Sequence, residues 1–570
     1  MRQCVLFFFL ISLATSAFPQ DRTNARSMVI SPYGIVATSQ VQASQAGAEI
    51  LSRGGSAVDA AIAANAVLGV MEPDMNGMGG DLFAIYWDAK TGGLYGLNAS
   101  GWAPKALTIA HLRARDVTQM PTEGIDTVTV PGAVEGWKEL RKRFGRMEWK
   151  NLFAPAIFYA ENGFPVEEMI SMDWGASREK LQKDPETRRV FLVHDEAPHF
   201  GEVFKNPDVA KTLRLLATGG PEAFYKGEIA KAILATSREL GGTMTADDLA
   251  EFSAEWVEPI STTYRGWKVY ELPPNGQGMA ALEMLNILEQ FTPAKEGPLS
   301  TEEIHKRIEA MKLAYADLAR YNADPRFAKV PVTGLLSKEY AKQRAQLIDP
   351  QKADCSTDAG QPPVSDTTYL TAVDREGNIV SLIQSNFSAF GSGITVRGMG
   401  FALQNRGALF MLDPSKPDAL AGRKRPFHTI IPAFMERGDD HIGFGIMGGA
   451  NQPLAHAQFV SNVVDYGMNL QAAMETARFT VRSNFDIGCK VLIEDRVPAE
   501  VRQQLTNLGH QIETRGNFSI FMGRGQAIDH NTKTGLNSAA SDARTDGSAE
   551  PEVPPGLGLA GAIAAKPEKH

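Results

Sequence analysis

The sequence predicts an α/β (α+β) sandwich, on three observations. Helical and strand patterns alternate along the whole chain. The strands come mostly as hairpins, which makes the sheets antiparallel. The 570 residues, 43% hydrophobic and 22% charged, suffice for a sizeable core. Length alone suggests several domains, and no internal repeat divides the chain.

The first 17 residues read as a signal peptide and not as part of the fold. Arg2 gives a short basic region, residues 4–14 are apolar, and Thr15, Ser16 and Ala17 form a small-residue cleavage site. That stretch is too short for a comfortable membrane span, and no later segment is long and apolar enough. The protein is therefore expected to be exported, periplasmic or extracellular. Ser56 is placed to cap a helix over residues 57–68, with Asp59 closing the capping box and Gly69 ending the helix. Residues 82–87 and 93–97 read as a hairpin around Gly92 and Gly93. Helices are expected at 133–143, 149–162, 223–240 and 301–321. The last carries Ile304, Ile308, Met311 and Tyr315 on one face, which assigns its charges to a solvated face. Residues 353–364 read as an exposed linker. Strands are expected around 443–447 and helices at 454–465 and 470–478. The tail from Glu552 is rich in Pro, Gly and Ala and reads as disordered.

The net charge of −9 argues against nucleic acid as a partner. There is no CxxC, no HExxH and no His pair at helical spacing, so no metal site is expected. There is also no GxxxxGK[ST] to hold a phosphate. Of three cysteines, Cys4 leaves with the signal. Cys355 and Cys489 are expected to be two buried or free thiols, with a disulfide as the alternative.

The chemistry centres on residues 366–385. Residues 367–373 alternate as a strand, residues 375–378 form a turn, and residues 379–385 return. Pairing Asp374 with Ile379 puts Thr367 opposite position 385 or 386. Two hydroxyls, Thr367 and Ser385, then face each other at the open end of the hairpin, a site suited to nucleophilic chemistry.

This run resembles the cleavage junction of the γ-glutamyltransferase (γ-glutamyltranspeptidase) family of N-terminal-nucleophile hydrolases. The resemblance extends from about Gly34 to Val553. It includes Gly54 to Ala61, the stretch Met71, Glu72, Pro73 with Gly77 to Gly80, and Val130 to Gly132. Further on it includes Lys424 to Pro426, Gly448 with Gly449, and Ser538 to Asp542. It implies a four-layer αββα sandwich shared by two polypeptides cut from one precursor. Residues 18–366 would form the large subunit, 367–553 the small catalytic one, and 554–570 the tail. The cut would fall between Asp366 and Thr367. The freed α-amine of Thr367, with a reference pKa near 8, then serves as the base for its own hydroxyl. The hydroxyl attacks a small-molecule amide, and water or an amine takes the acyl group. Ser385 orients the nucleophile, and Gly448 and Gly449 supply the oxyanion hole. No cofactor is implied.

The pattern departs from the typical family at the substrate. The Arg that holds an α-carboxylate aligns with Ser100, and the acidic residue that holds an α-amine aligns with Leu409. A Gln has become Arg406, an Asn has become Phe387, and a Ser pair has become His428 and Thr429. These changes resemble a divergent branch that includes oxamate amidohydrolases. Arg406, with His428, is expected to bind a carboxylate; a core histidine and a surface arginine are the bland alternatives. The primary expectation is hydrolysis or transfer from glutathione-like γ-glutamyl amides. The alternatives are an amidohydrolase or acylase for a small non-glutamyl amide, and a non-catalytic binding relative.

Overall fold

The computed structural model describes residues 24–356, 366–481, 488–555 and 557. The stretch read as a signal peptide and most of the stretch 353–364 read as a linker lie outside them. Two seven-stranded antiparallel sheets face each other. The first runs Ser548–Pro551, Ile35–Thr38, Asp366–Val373, Ile379–Phe387, Asp81–Asp88, Gly93–Ala99, Glu255–Val257. The second runs Val29–Ser31, Leu536–Ser541, Arg524–Asn531, Asp440–Met447, Ala433–Arg437, Trp267–Glu271, Ile260–Tyr264.

Alternation along the central strands fills three layers of core. Tyr369, Val373, Ile379 and Ile383 point between the sheets, where they meet Phe434 and Ile528. Leu370, Ala372, Val380 and Leu382 point the other way, into helices that include Ala57–Met71. The second sheet is covered by Gly278–Leu288, Thr301–Tyr321 and Gln452–Tyr466. The result is the αββα sandwich, with the 366–387 hairpin at the centre of one sheet.

Several expectations need correction. The helix capped by Ser56 and Asp59 continues through Gly69 to Met71. A Cβ at Gly69 would sit 3.2 Å from the Gly77 Cα, so this glycine permits a close crossing and does not stop the helix. The 223–240 run is divided between Pro207–Tyr225 and Glu228–Glu239, parted at Gly227, where a Cβ would come 2.8 Å from the Ala223 Cα. Most charges of Thr301–Tyr321 are not solvated: only Glu302 and Arg320 are exposed, and Glu303, Lys306, Arg307, Glu309, Lys312 and Asp317 are buried. They are paired with each other or with chain from elsewhere, as in Arg307 to Glu303 at 3.1 Å and Lys312 to Glu309 at 2.7 Å. Glu552 is not the start of a loose tail. It is buried, accepting the Gly34 N–H at 2.8 Å and the Arg375 Nε–H at 2.7 Å, beside a strand paired with Ile35–Thr38.

Cys355 and Cys489 form a disulfide, not two thiols, with Cα atoms 5.0 Å apart. Backbone bonds from Ala353 N to Leu508 O (2.8 Å) and from Gln511 N to Cys489 O (2.7 Å) lay the two segments side by side. No helix among the described residues is long and apolar enough to cross a membrane.

Candidate active site

The hairpin pairs Val373 with Ile379 and Thr368 with Gln384, then slips by one, so that Asp366 pairs with Phe387. Thr367 thus faces Ser385 and Asn386, as the alternation predicts, although the turn is one residue longer, 374–378 instead of 375–378. Asp374 does not pair with Ile379. Its carboxylate closes the turn instead, accepting the N–H of Asn378 at 3.0 Å and of Glu376 at 3.2 Å. At the open end both hydroxyls are buried, and Thr367 Oγ1 lies 3.3 Å from Ser385 Oγ. Ser385 Oγ also accepts the Phe387 N–H at 2.8 Å. Phe387 has φ +79°, a left-handed conformation that is costly for an aromatic residue and that turns the chain out of the strand.

The ring of Phe387 carries the Arg406 guanidinium, 4.4 Å above its centroid. Arg406 is 0% exposed, the reverse of a surface arginine. Its Nη2 donates to Ser385 Oγ at 3.1 Å and its Nη1 to Thr429 Oγ1 at 2.7 Å. Its Nε is buried with no hydrogen-bond partner among the described residues. Burial pulls this guanidinium down to about 9, against the field of Asp81, so it stays charged at neutral pH. Thr429 O accepts from Gln277 Nε2 at 2.6 Å, and the same nitrogen donates to Gly449 O at 2.7 Å. Gly448 (φ +130°) and Gly449 (φ +57°) form the turn between the strand Asp440–Met447 and the helix Gln452–Tyr466. Hydrogen bonds therefore link Thr367 through Ser385, Arg406, Thr429 and Gln277 to the glycine turn.

His428 and Ser100 stand one layer behind. His428 Nε2 lies 2.9 Å from Asp81 Oδ2, Ile430 N approaches its Nδ1 at 3.4 Å, and Phe83 packs on the ring. Burial, with Arg406 and Arg425 adding to it, holds His428 well below its ordinary pKa, so the ring is neutral. Asp81 also accepts the Gly101 N–H at 2.8 Å, and burial pushes it up to about 7. The Ser100 hydroxyl accepts from Asn275 Nδ2 at 3.1 Å. Asn275 and Gln277 lie in the run 273–278, whose sequence resembles the divergent branch without implying a role for either residue. Asp81 has no sequence signal beyond polarity next to an apolar strand, which is common and points nowhere by itself.

Among the described residues, His305, Glu309 and His510 bring potential metal-ligand atoms within 4.8 Å of one another. His305 Nδ1 is already bonded to His510 Nε2 at 2.8 Å, and Lys312 Nζ sits 2.7 Å from Glu309 Oε1. All three groups are thus already engaged within the protein.

Comparison with known proteins places this geometry. Residues 43–552 match the Gamma-glutamyltranspeptidase family. The glutathione hydrolase-like YwrD proenzyme of Bacillus subtilis (strain 168) is 37% identical over 529 residues, covering 92% of this chain and 98% of its own. The oxamate amidohydrolase proenzyme of Klebsiella pneumoniae is 34% identical over 529 residues, covering 91% and 98%. Among solved structures, cephalosporin acylase from Bacillus halodurans superposes with a TM-score of 0.87 at 40% identity, over 96% of this chain and 100% of that one.

Proposed function

The chain belongs to the γ-glutamyltranspeptidase family, and on that premise we propose a self-cleaving N-terminal-threonine amidase whose acyl donor carries a carboxylate but no α-ammonium group. The family's chemistry is amide hydrolysis or acyl transfer, and the names of relatives as proenzymes fit a precursor cut into two subunits. The cut would fall between Asp366 and Thr367. Thr367 then attacks the substrate carbonyl with its own α-amine as base, Ser385 orients the hydroxyl, and Gly448 and Gly449 receive the oxyanion.

The observation that carries the substrate reading is Arg406. A buried, charged guanidinium touches Ser385, which touches Thr367. Its unpartnered Nε–H is a donor in want of an acceptor, and carboxylates match the guanidinium fork. Position 409 offers leucine, which gives no charge partner to an ammonium group. His428, neutral and engaged on both nitrogens, holds Asp81 and leaves the carboxylate to Arg406. The second reading, γ-glutamyl amides, is favoured by relatives named glutathione hydrolase. Export is the expected location. The disulfide agrees with it, because such bonds persist in oxidising compartments.

The test is a matched pair of anilides, glutaryl and γ-glutamyl, with oxamate and glutathione alongside. The two anilides differ by one ammonium group. We expect the glutaryl compound to be preferred, and Arg406→Ala to raise its KM by about 10- to 100-fold while sparing an uncharged analogue. Preference for the γ-glutamyl anilide would reverse the substrate reading. An active wild type whose bond before Thr367 is intact would remove the mechanism.

A further inference from the structure

Thr368 points away from the hydroxyls of the site, into the helix layer, and its surroundings are unusual for a strand threonine. Its Oγ1 donates to Glu72 Oε2 at 2.7 Å. The same oxygen accepts from Ser39 Oγ at 2.8 Å, Ser39 Oγ lies 3.0 Å from Thr368 Oγ1, and Gln40 Nε2 donates to Glu72 Oε1 at 3.2 Å. Glu72 is 1% exposed. Burial raises its pKa, while Thr368, Ser39, Arg524 and Gln40 pull it back down. The carboxylate is itself rigid. It follows directly on the helix Ala57–Met71, its N–H donates to Leu68 O at 2.7 Å, and its carbonyl accepts from Met75 and Asn76.

We propose that Glu72 is a positioning residue: through Thr368 it holds Thr367 in attacking register once the chain has been cut. This rests on the reading of Thr367 as a new N-terminus. Before cleavage Thr367 is held on both sides, by the peptide bond to Asp366 and by the pairing of Asp366 with Phe387. Cleavage removes that bond, and with it the restraint on the N-terminal side. Thr367 lies where the ladder slips, so it has no regular partner of its own. Terminal residues fray unless tied down. The first tie is Thr368, fixed by its pairing with Gln384 and by the Glu72 and Ser39 contacts. Misplacement of a reacting group by about 1 Å can cost about 100-fold in rate. Every group that holds the Thr368 hydroxyl comes from the part of the chain before the cut, so the anchor also ties the two polypeptides together at the nucleophile.

The test uses the full-length chain with Thr368→Val, which keeps the shape and removes the hydroxyl, and Thr368→Ser, which restores it. Self-cleavage, kcat, KM and Tm are read on the amide that wild type turns over best. We expect Thr368→Val to lower kcat about 10- to 100-fold with KM within about 2-fold and self-cleavage much less affected, because the uncut chain is held from both sides. Thr368→Ser should recover to within about 3-fold. Glu72→Gln should add little on top of Thr368→Val, since the two act through one contact. Overturning results are a Thr368→Val kcat near wild type, a kcat loss matched by equal loss of self-cleavage and Tm, or no rescue by serine. An active wild type with an intact bond before Thr367 would instead sink the underlying reading. A cut, active wild type with an indifferent Thr368→Val would sink this inference alone.

Discussion

Asp81 sits between the Gly101 N–H and the neutral His428 ring, with no solvent contact. Burial raises it to about 7 from an ordinary carboxylate value near 4, more than the field of Arg406 can offset. The native state therefore holds this proton more tightly than the unfolded chain does. The resulting stabilisation is fully present below about pH 4 and is lost as pH rises to about 7, by at most about 4 kcal/mol. Asp81→Asn should fix the neutral state, with Oδ1 still able to accept from Gly101. We expect Tm measured from pH 4 to 8 to fall less steeply in the variant. The slope should not vanish, because Glu167, Asp418 and Asp529 are also raised to about 7. An unchanged slope would show that Asp81 is ionised throughout.

Hairpins and glycine turns set the geometry one level up, and here sequence and structure meet unevenly. Alternation is a local property, so the 366–387 hairpin and the facing of Thr367 by Ser385 were legible from spacing alone. Its register missed by one because a carboxylate, Asp374, took the turn amides. The Arg406 contact spans 21 residues, Glu72 to Thr368 spans 296, and Asp81 to His428 spans 347. No local pattern reports such pairs, and resemblance could supply only Arg406 and His428 as candidates. The charged face of Thr301–Tyr321 failed for a related reason: amphipathic spacing shows which face is polar, not whether water or protein covers it. Gly80 gives an element-scale test. A Cβ there would lie 2.5 Å from Ser385 O and 3.0 Å from Ser385 C, backbone atoms that can move only with the strand. Gly80→Ala should cost about 1–3 kcal/mol and lower kcat at least about 10-fold well below its Tm. A stable variant with wild-type kcat would mean that the end of this strand tolerates displacement.

At the scale of the whole molecule, a cut before Thr367 leaves two polypeptides that cannot come apart without dismantling both sheets. In the first sheet the hairpin from the small chain lies between Ile35–Thr38 and Asp81–Asp88 of the large one, and in the second Ala433–Arg437 pairs with Trp267–Glu271. The Cys355–Cys489 bond adds a covalent link across the same division, shortly before the cut on one side and well inside the small chain on the other. A disulfide that would close a loop in the uncut precursor becomes, on maturation, the only covalent tie between the chains among the described residues. Mature protein on a denaturing gel without reductant should therefore run near the mass of the uncut chain, and with reductant as two bands, the lighter beginning at Thr367. Cys355→Ser should give two bands under both conditions yet remain one species on a native gel, because the interleaved strands hold the assembly without the sulfurs. Two bands from wild type in the absence of reductant would show that the thiols are free in solution. A Cys355→Ser enzyme that separates under native conditions would show that the shared sheets are weaker than their strand order implies.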